Sequence, residues 1–290
     1  MAGACIMHPL DGPRAKIERA NRQIITLQQS VQGFFRDNLY EIREAEHKSK
    51  AGNYPLRVKS GPQEFPIDWS VVIGEIAHDL RSALDGLTWQ VALLGPNSPS
   101  FYTSFPICLD KCLAKKVGDR TYPAFDPCKE VKRRGCLQSI PSHLWTRFER
   151  FQPYKRGNGG RHSPLVLLNE LNNTDKHRLV TVLTPTAVSV TFSGFAGHVH
   201  FNRRMTLRTN AKIGWVTEPP PNQPGQGGIY RLDLATMKLV EPEMEVDVTV
   251  TPGIRFGNTC EAVSRLPVIP TLQRMTNQVS GVVESFVGEF

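Results

Sequence analysis

At 290 residues the chain is long enough to bury a core of its own, as one large domain or two ordinary ones, and too long for a small disulfide-stapled scaffold. With 40% apolar and 21% charged residues it reads as neither a disordered tail nor a membrane bundle, because its apolar stretches break off far short of the ~20 residues a spanning helix needs. The 35 Lys and Arg outweigh 27 Asp and Glu to give a formal charge of +8, which suits an anionic partner such as nucleic acid or a phosphorylated small molecule, and equally a plain solvated surface.

The segment Met1 to Pro9 shows no basic region followed by an apolar run and no small-residue cleavage site, so the expectation is a soluble cytoplasmic protein with no membrane association. From Pro13 to Arg36, Ile17, Ala20, Ile24, Leu27, Val31 and Phe35 recur at helical spacing. Leu39–Glu46 and Tyr54–Lys59 are short β-compatible runs expected to pair as a charged, edge-like hairpin. Asp68 is placed as an N-cap for the strongest helix, Trp69 to Leu94, whose wide stripe includes Ile73, Ile76, Leu80, Leu84, Leu87 and Val91 and which Gly95 and Pro96 end.

Residues 97–141 mix Pro, Gly, Cys and charge without a sustained period, and the densest basic group, Lys129, Lys132, Arg133 and Arg134, falls there. Four of the six cysteines, Cys108, Cys112, Cys128 and Cys136, also fall there. The pairs enclose three and seven residues, spacings unlike those of zinc knuckles, so with Cys5 and Cys260 they are expected to be reduced thiols. A short helix is expected over His143–Phe151, then a Gly-rich loop at Gly157–Gly160, then a helix opened by Ser163-Pro164 and running to about Val180.

After Pro185 the pattern alternates: Val188, Val190 and Phe192; Val199 and Phe201; Ile213 and Trp215; Tyr230, Leu232 and Leu234; Val246, Val248 and Val250. These segments predict five or six antiparallel strands, with a Pro/Gly-rich exposed loop from Pro219 to Gly228. Pro270 opens a last helix with Leu272, Met275, Val279, Val282, Val283 and Phe286 on one face. The expected fold class is therefore α+β, a helical bundle packed with an antiparallel β-sheet formed mainly by the C-terminal half. It is read as a single interlocked domain over 1–290, with a helical part at about 10–180, a β-rich part at about 181–256 and a closing helix at about 270–288.

Two polar clusters interrupt apolar helices. His78, Arg81 and Asp85 follow one another at spacings of three and four, flanked by Glu75 and Ser82. Asn169, Asn172, Asn173, Asp175, Lys176, His177 and Arg178 crowd the end of the later helix. The blocks Ile73-Gly74-Glu75, His78-Asp79-Leu80-Arg81-Ser82-Ala83-Leu84-Asp85, Gln152-Pro153-Tyr154 and Leu168 through Arg178 together resemble an uncharacterised bacterial protein family that shares them, over about residues 66–182. That resemblance implies that both clusters serve one site. A fainter likeness is to HEPN-type helical domains, several of which are metal-independent ribonucleases or partner modules of defence systems, with an Arg, a short polar spacer and a His. Here that spacing occurs only from Arg156 to His162, in the Gly-rich loop, while His177 and Arg178 are adjacent.

The expected catalytic set is His78, Arg81, Asp85, Asp175, His177 and Arg178, with Tyr154, Lys155, Arg156, Asn173 and Lys176 binding ligand. A His held by a carboxylate shuttles protons near neutral pH, and an Arg beside it grips a phosphate with two parallel hydrogen bonds. The expectation is a site for a phosphate-bearing or nucleic-acid ligand, with acid–base phosphodiester cleavage as its chemistry and no cofactor. No nucleophile elbow or phosphate loop accompanies it. Two alternatives stay open. One is a non-catalytic module for a protein partner with an architectural polar network. The other is a metal-dependent enzyme using Glu75, His78, Glu170 and the Asp175/His177 pair, or the His198/His200 pair on a strand.

Overall fold

The computed structural model describes backbone and side chains over residues 8–38, 64–109, 139–180 and 254–290. It describes the backbone alone over 40–44, 54–60, 116–117, 120–121, 182–194, 199–201, 212–216, 229–232 and 246–253. Among the described residues five α-helices carry the body: α1 (Asp11–Asp37), α2 (Ile67–Leu93), α3 (Trp145–Arg150), α4 (Pro164–Asp175) and α5 (Val268–Glu284). Each forms where apolar residues recur at the helical period, so that one face can be buried. In α1, Ile17, Ala20, Ile24, Leu27, Val31 and Phe35 are buried. In α2 the buried stripe widens to include Ile73, Ile76, Leu80, Leu84, Leu87 and Val91.

Helix α2 is the axis of this body. It packs against α1, α4 and α5, and α5 returns to cover α1 and α4, so the first and last helices of the chain close one core. Rings fill the end of that core, with Phe148 lying 5.6 Å from Phe105 and 4.9 Å from Phe286 between centroids. Each such buried side chain contributes about 1.5–3 kcal/mol by leaving water. Glycine ends α2 as expected, for a steric reason: a Cβ on Gly95 would stand 2.0 Å from the Ser139 carbonyl oxygen. Helix α2 starts one residue before the expected cap, with Pro66 at its N-cap and Asp68 in its first turn. Ser163 and Pro164 do open α4.

The expected α+β architecture, a helical bundle packed with an antiparallel sheet, is overturned. Where side chains are described, helices take 69% of the residues, with a single short strand at 254–256 and no sheet. The reason lies in what each apolar face meets. An alternating pattern says that one side of a segment favours burial, and does not say against which surface. Here the helices satisfy one another's stripes, so the bundle presents no layer-sized face to a sheet.

The alternating segments ladder with one another along the backbone instead, in the order 199–201, 212–216, 54–60, 40–44 and 229–232, without more than marginal contact with any helix. The 40–44/54–60 pair sits at the middle of that order, not at an edge. The segment 182–194 pairs with 246–256, whose end delivers Ile254 and Phe256 into the helical core. Cys5, Cys112, Cys128, Cys136, the basic group Lys129–Arg134, His198 and the loop Pro219–Gly228 lie outside the described residues, and of His200 only the backbone is described. Cys108 and Cys260 are buried.

Candidate functional site

Helices α1, α2 and α4 enclose a cleft of about 380 Å³. Helix α2 supplies Gly74, Glu75 and His78, one turn apart on the surface between its neighbours. Helix α4 ends at Asp175, whose side chain comes down onto the α2 backbone at Gly74. A Cβ at position 74 would stand 2.1 Å from Asp175 Oδ1 and 2.4 Å from its Cγ, so the carboxyl occupies the space that any other residue would fill. Burial pushes the Asp175 carboxyl above the ordinary carboxylate range; nearby His78 opposes that shift and Glu75 adds to it. His78 itself makes no hydrogen bond or ion pair to another described residue, and neither does the Lys176 ammonium.

The third wall comes from α1. Arg19 grips both oxygens of Asp79, a carboxylate only 2% exposed, with its guanidinium fork. One turn on, Gln23 Nε2 donates to Glu75 Oε2 at 2.7 Å. Glu75, as a carboxylate, can only accept, so this bond fixes the orientation of the amide. Gln23 Oε1 is then left buried with no hydrogen-bond partner among the described residues. Arg19 and Gln23 also line a second, mostly apolar cavity of about 280 Å³, walled by Leu27, Trp69 and Val72. Arg19 and Gln23 are the residues the two hollows have in common.

Of the residues expected to form one site, His78, Asp175 and Lys176 line the cleft. The others have different surroundings. Arg81 Nη2 donates to the Phe105 carbonyl at 2.8 Å and pairs with Asp85 at 3.0 Å, and Asp85 accepts from the Phe105 N–H at 2.9 Å. These two clamp the segment around Phe105 onto α2. Along α2, at 1.5 Å rise per residue, positions 81 and 85 stand about 4.5 and 10 Å beyond His78, level with the Phe105 segment that they bind. His177 and Arg178 follow that end in an exposed turn, because α4 stops at Asp175 and not near Val180. Asn173 is exposed outside the cleft, whereas its neighbour Asn172 is buried and lines it.

Tyr154 donates its hydroxyl to Glu149 at 2.7 Å, and Lys155 pairs with the same carboxylate at 3.0 Å. Arg156 donates to Gln278 on α5 at 2.8 Å, and His162 is exposed at the far end of the same 3-10 segment. Among the described residues no three His, Cys, Asp or Glu side chains group as metal ligands, so Glu75 and His78 lack the companions a di-metal bundle site needs.

Arg19, Gln23 and Gly74 line the cleft and Asp79 holds Arg19, none of them among the expected site residues, while Asn172, a member of the second polar cluster, lines the cleft as well. Helix α1 was legible only through its apolar stripe, and its polar face carries no spacing that points to α2. Gly74 does carry a signal: a glycine inside a strong helical pattern costs about 1 kcal/mol against alanine and marks close approach by another group. No family model, curated protein or solved structure matches the chain.

Proposed function

We propose that the α1–α2–α4 cleft binds a phosphate-bearing ligand and moves protons on it through His78 and Asp175. The observation that carries this reading is the seating of the Asp175 carboxyl on the bare backbone of Gly74, within the field of His78. Two proton carriers with unlike environments face one hollow, the arrangement acid–base chemistry requires. Lys176, on the same rim and without a carboxylate partner, supplies the charge that would hold a phosphate; Arg19 is committed to Asp79.

In phosphodiester cleavage the imidazole of His78 takes the proton of an attacking hydroxyl as its oxygen bonds to phosphorus. The bond from phosphorus to the leaving oxygen breaks, and that oxygen takes the proton of the Asp175 carboxyl. Solvent then restores both groups. The raised proton affinity of Asp175 suits the donor role, since burial keeps it protonated to higher pH than an ordinary aspartic acid.

Calorimetric titration with ribose 5-phosphate, and turnover of a short mixed-sequence RNA, test the reading. Binding is expected for the wild type, at least tenfold weaker after Lys176→Met, and turnover is expected to vanish after His78→Ala with affinity largely kept. Absence of binding by the wild type at millimolar ligand overturns the proposal.

A further inference from the structure

We infer that the surface shared by the 3-10 segment Pro153–His162 and α5 binds the phosphate backbone of a nucleic-acid duplex without reading its base sequence. The first observation is charge. Over 153–169 and 268–283 the chain carries Lys155, Arg156, Arg161 and Arg274 and no Asp or Glu, so nothing within these stretches offsets the cations. Lys155 pairs with Glu149 at 3.0 Å, whereas Arg161 and Arg274 are exposed and make no hydrogen bond or ion pair with another described residue. Arg156 is exposed as well, and its partner is neutral: Nη2 donates to Gln278 Oε1 at 2.8 Å. None of these arginines lines the cleft.

The second observation is their placement. Arg274 and Gln278 stand one turn apart on α5, where side chains share a face, so the bond to Gln278 brings the Arg156 guanidinium beside Arg274. Arg161 closes the same loop, whose ends meet: a Cβ on Gly160 would stand 2.8 Å from the Pro153 carbonyl oxygen. Between the two arginines the outer edge of the loop is almost bare, since a Cβ on Gly157 or Gly159 would meet nothing within 4 Å. The kind of polyanion follows from what this surface lacks. None of the exposed large apolar side chains lies on the loop or on α5, so this surface has nothing to insert into a bilayer. No exposed ring is offered to unstacked bases, because Tyr154 is half-buried with its hydroxyl on Glu149. Beside Arg274, α5 exposes the amides of Gln273 and Asn277, which donate to phosphate and sugar oxygens as arginine does. Guanidinium forks and amides fixed on a helix suit the regular phosphates of a duplex, and such contacts carry no sequence information.

The test is fluorescence-anisotropy titration of a short labelled DNA duplex with the full chain over a range of salt. Wild-type affinity should fall as salt rises, with a logarithmic slope of about −2.7 or steeper for three phosphate contacts, and a scrambled duplex should bind equally. Arg156→Gln, Arg161→Gln and Arg274→Gln should each make the slope shallower by about 0.9, and the triple variant should bind at least tenfold more weakly with thermal unfolding and ribose 5-phosphate affinity unchanged. Arg36→Gln lowers the net charge equally at a site paired with Asp37 and should leave the slope as in wild type. No duplex binding by the wild type at low salt overturns the inference and leaves the proposed function, read with ribose 5-phosphate, standing. A loss in Arg36→Gln equal to that in Arg274→Gln also overturns it, by assigning the effect to net charge. Tighter binding of a single strand, or of phosphatidylserine vesicles, than of the duplex overturns it as well.

Discussion

Replacing Gly74 by alanine sets two effects of opposite sign against each other. Inside a helix, alanine is favoured over glycine by about 0.8–1.0 kcal/mol, so α2 considered alone should gain stability. The new methyl, however, would stand 2.1 Å from Asp175 Oδ1 and 2.5 Å from Oδ2. That is about 1.0 to 1.4 Å inside the roughly 3.5 Å of ordinary contact, so the carboxyl must swing out or the end of α4 must move. Overpacking of this kind costs about 1–3 kcal/mol, enough to cancel or outweigh the helical gain.

A double-mutant cycle separates the two contributions. In an Asp175→Ala background the clash is gone, and Gly74→Ala should stabilise by up to about 1 kcal/mol; in the wild-type background it should be neutral or destabilising, for a coupling of about 1–3 kcal/mol. Urea unfolding followed by far-UV circular dichroism reads the difference, provided the slopes stay constant. If Gly74→Ala stabilises equally in both backgrounds, the carboxyl does not sit on Gly74 and the account of the site fails.

Two further perturbations probe the same assignment. The folded-state proton affinity of Asp175 is raised above the ordinary 3.8. The folded state therefore holds its proton more tightly, and this group's contribution favours folding at low pH and is lost as pH rises from about 3.8 through the raised folded value. Asp175→Asn should accordingly gain stability relative to wild type across that window and hold a constant advantage above it; a gap that shrinks with rising pH refutes the burial argument. For Asp85→Ala, loss of the Phe105 N–H and Arg81 contacts should cost about 1–3 kcal/mol by thermal unfolding, while ribose 5-phosphate affinity is unchanged. Weakened binding with stability intact would return Arg81 and Asp85 to the site.

The helices were legible because each apolar stripe is a local property of a short window: α1, α2 and α5 start and stop within a few residues of where periodicity, proline and glycine put them. The sheet was misjudged for the opposite reason. Alternation at Val246, Val248 and Val250 describes a segment with two unlike sides, and whether a helical layer covers one of them depends on faces contributed by residues some two hundred positions away. The bundle's closure by α1 and α5 settled that question, and nothing local to the strands encodes it.

The site divides along the same line. That His78 and Asp175 lie on polar interruptions of apolar helices is written in their own neighbourhoods, and both line the cleft. That Arg81 and Asp85 serve the Phe105 segment, that Lys176 reaches the cleft while His177 and Arg178 do not, and that Arg19 and Gln23 complete it from α1 depend on where α4 ends against α2. The chain by itself determined which faces are greasy and which positions are polar, since these follow from side-chain chemistry repeated at 3.6 residues per turn. Only the tertiary structure decided which polar groups meet. Meeting is a matter of axial register between helices, set by packing at positions such as Gly74, where the missing methyl lets a carboxyl from a hundred residues away come to rest on the backbone.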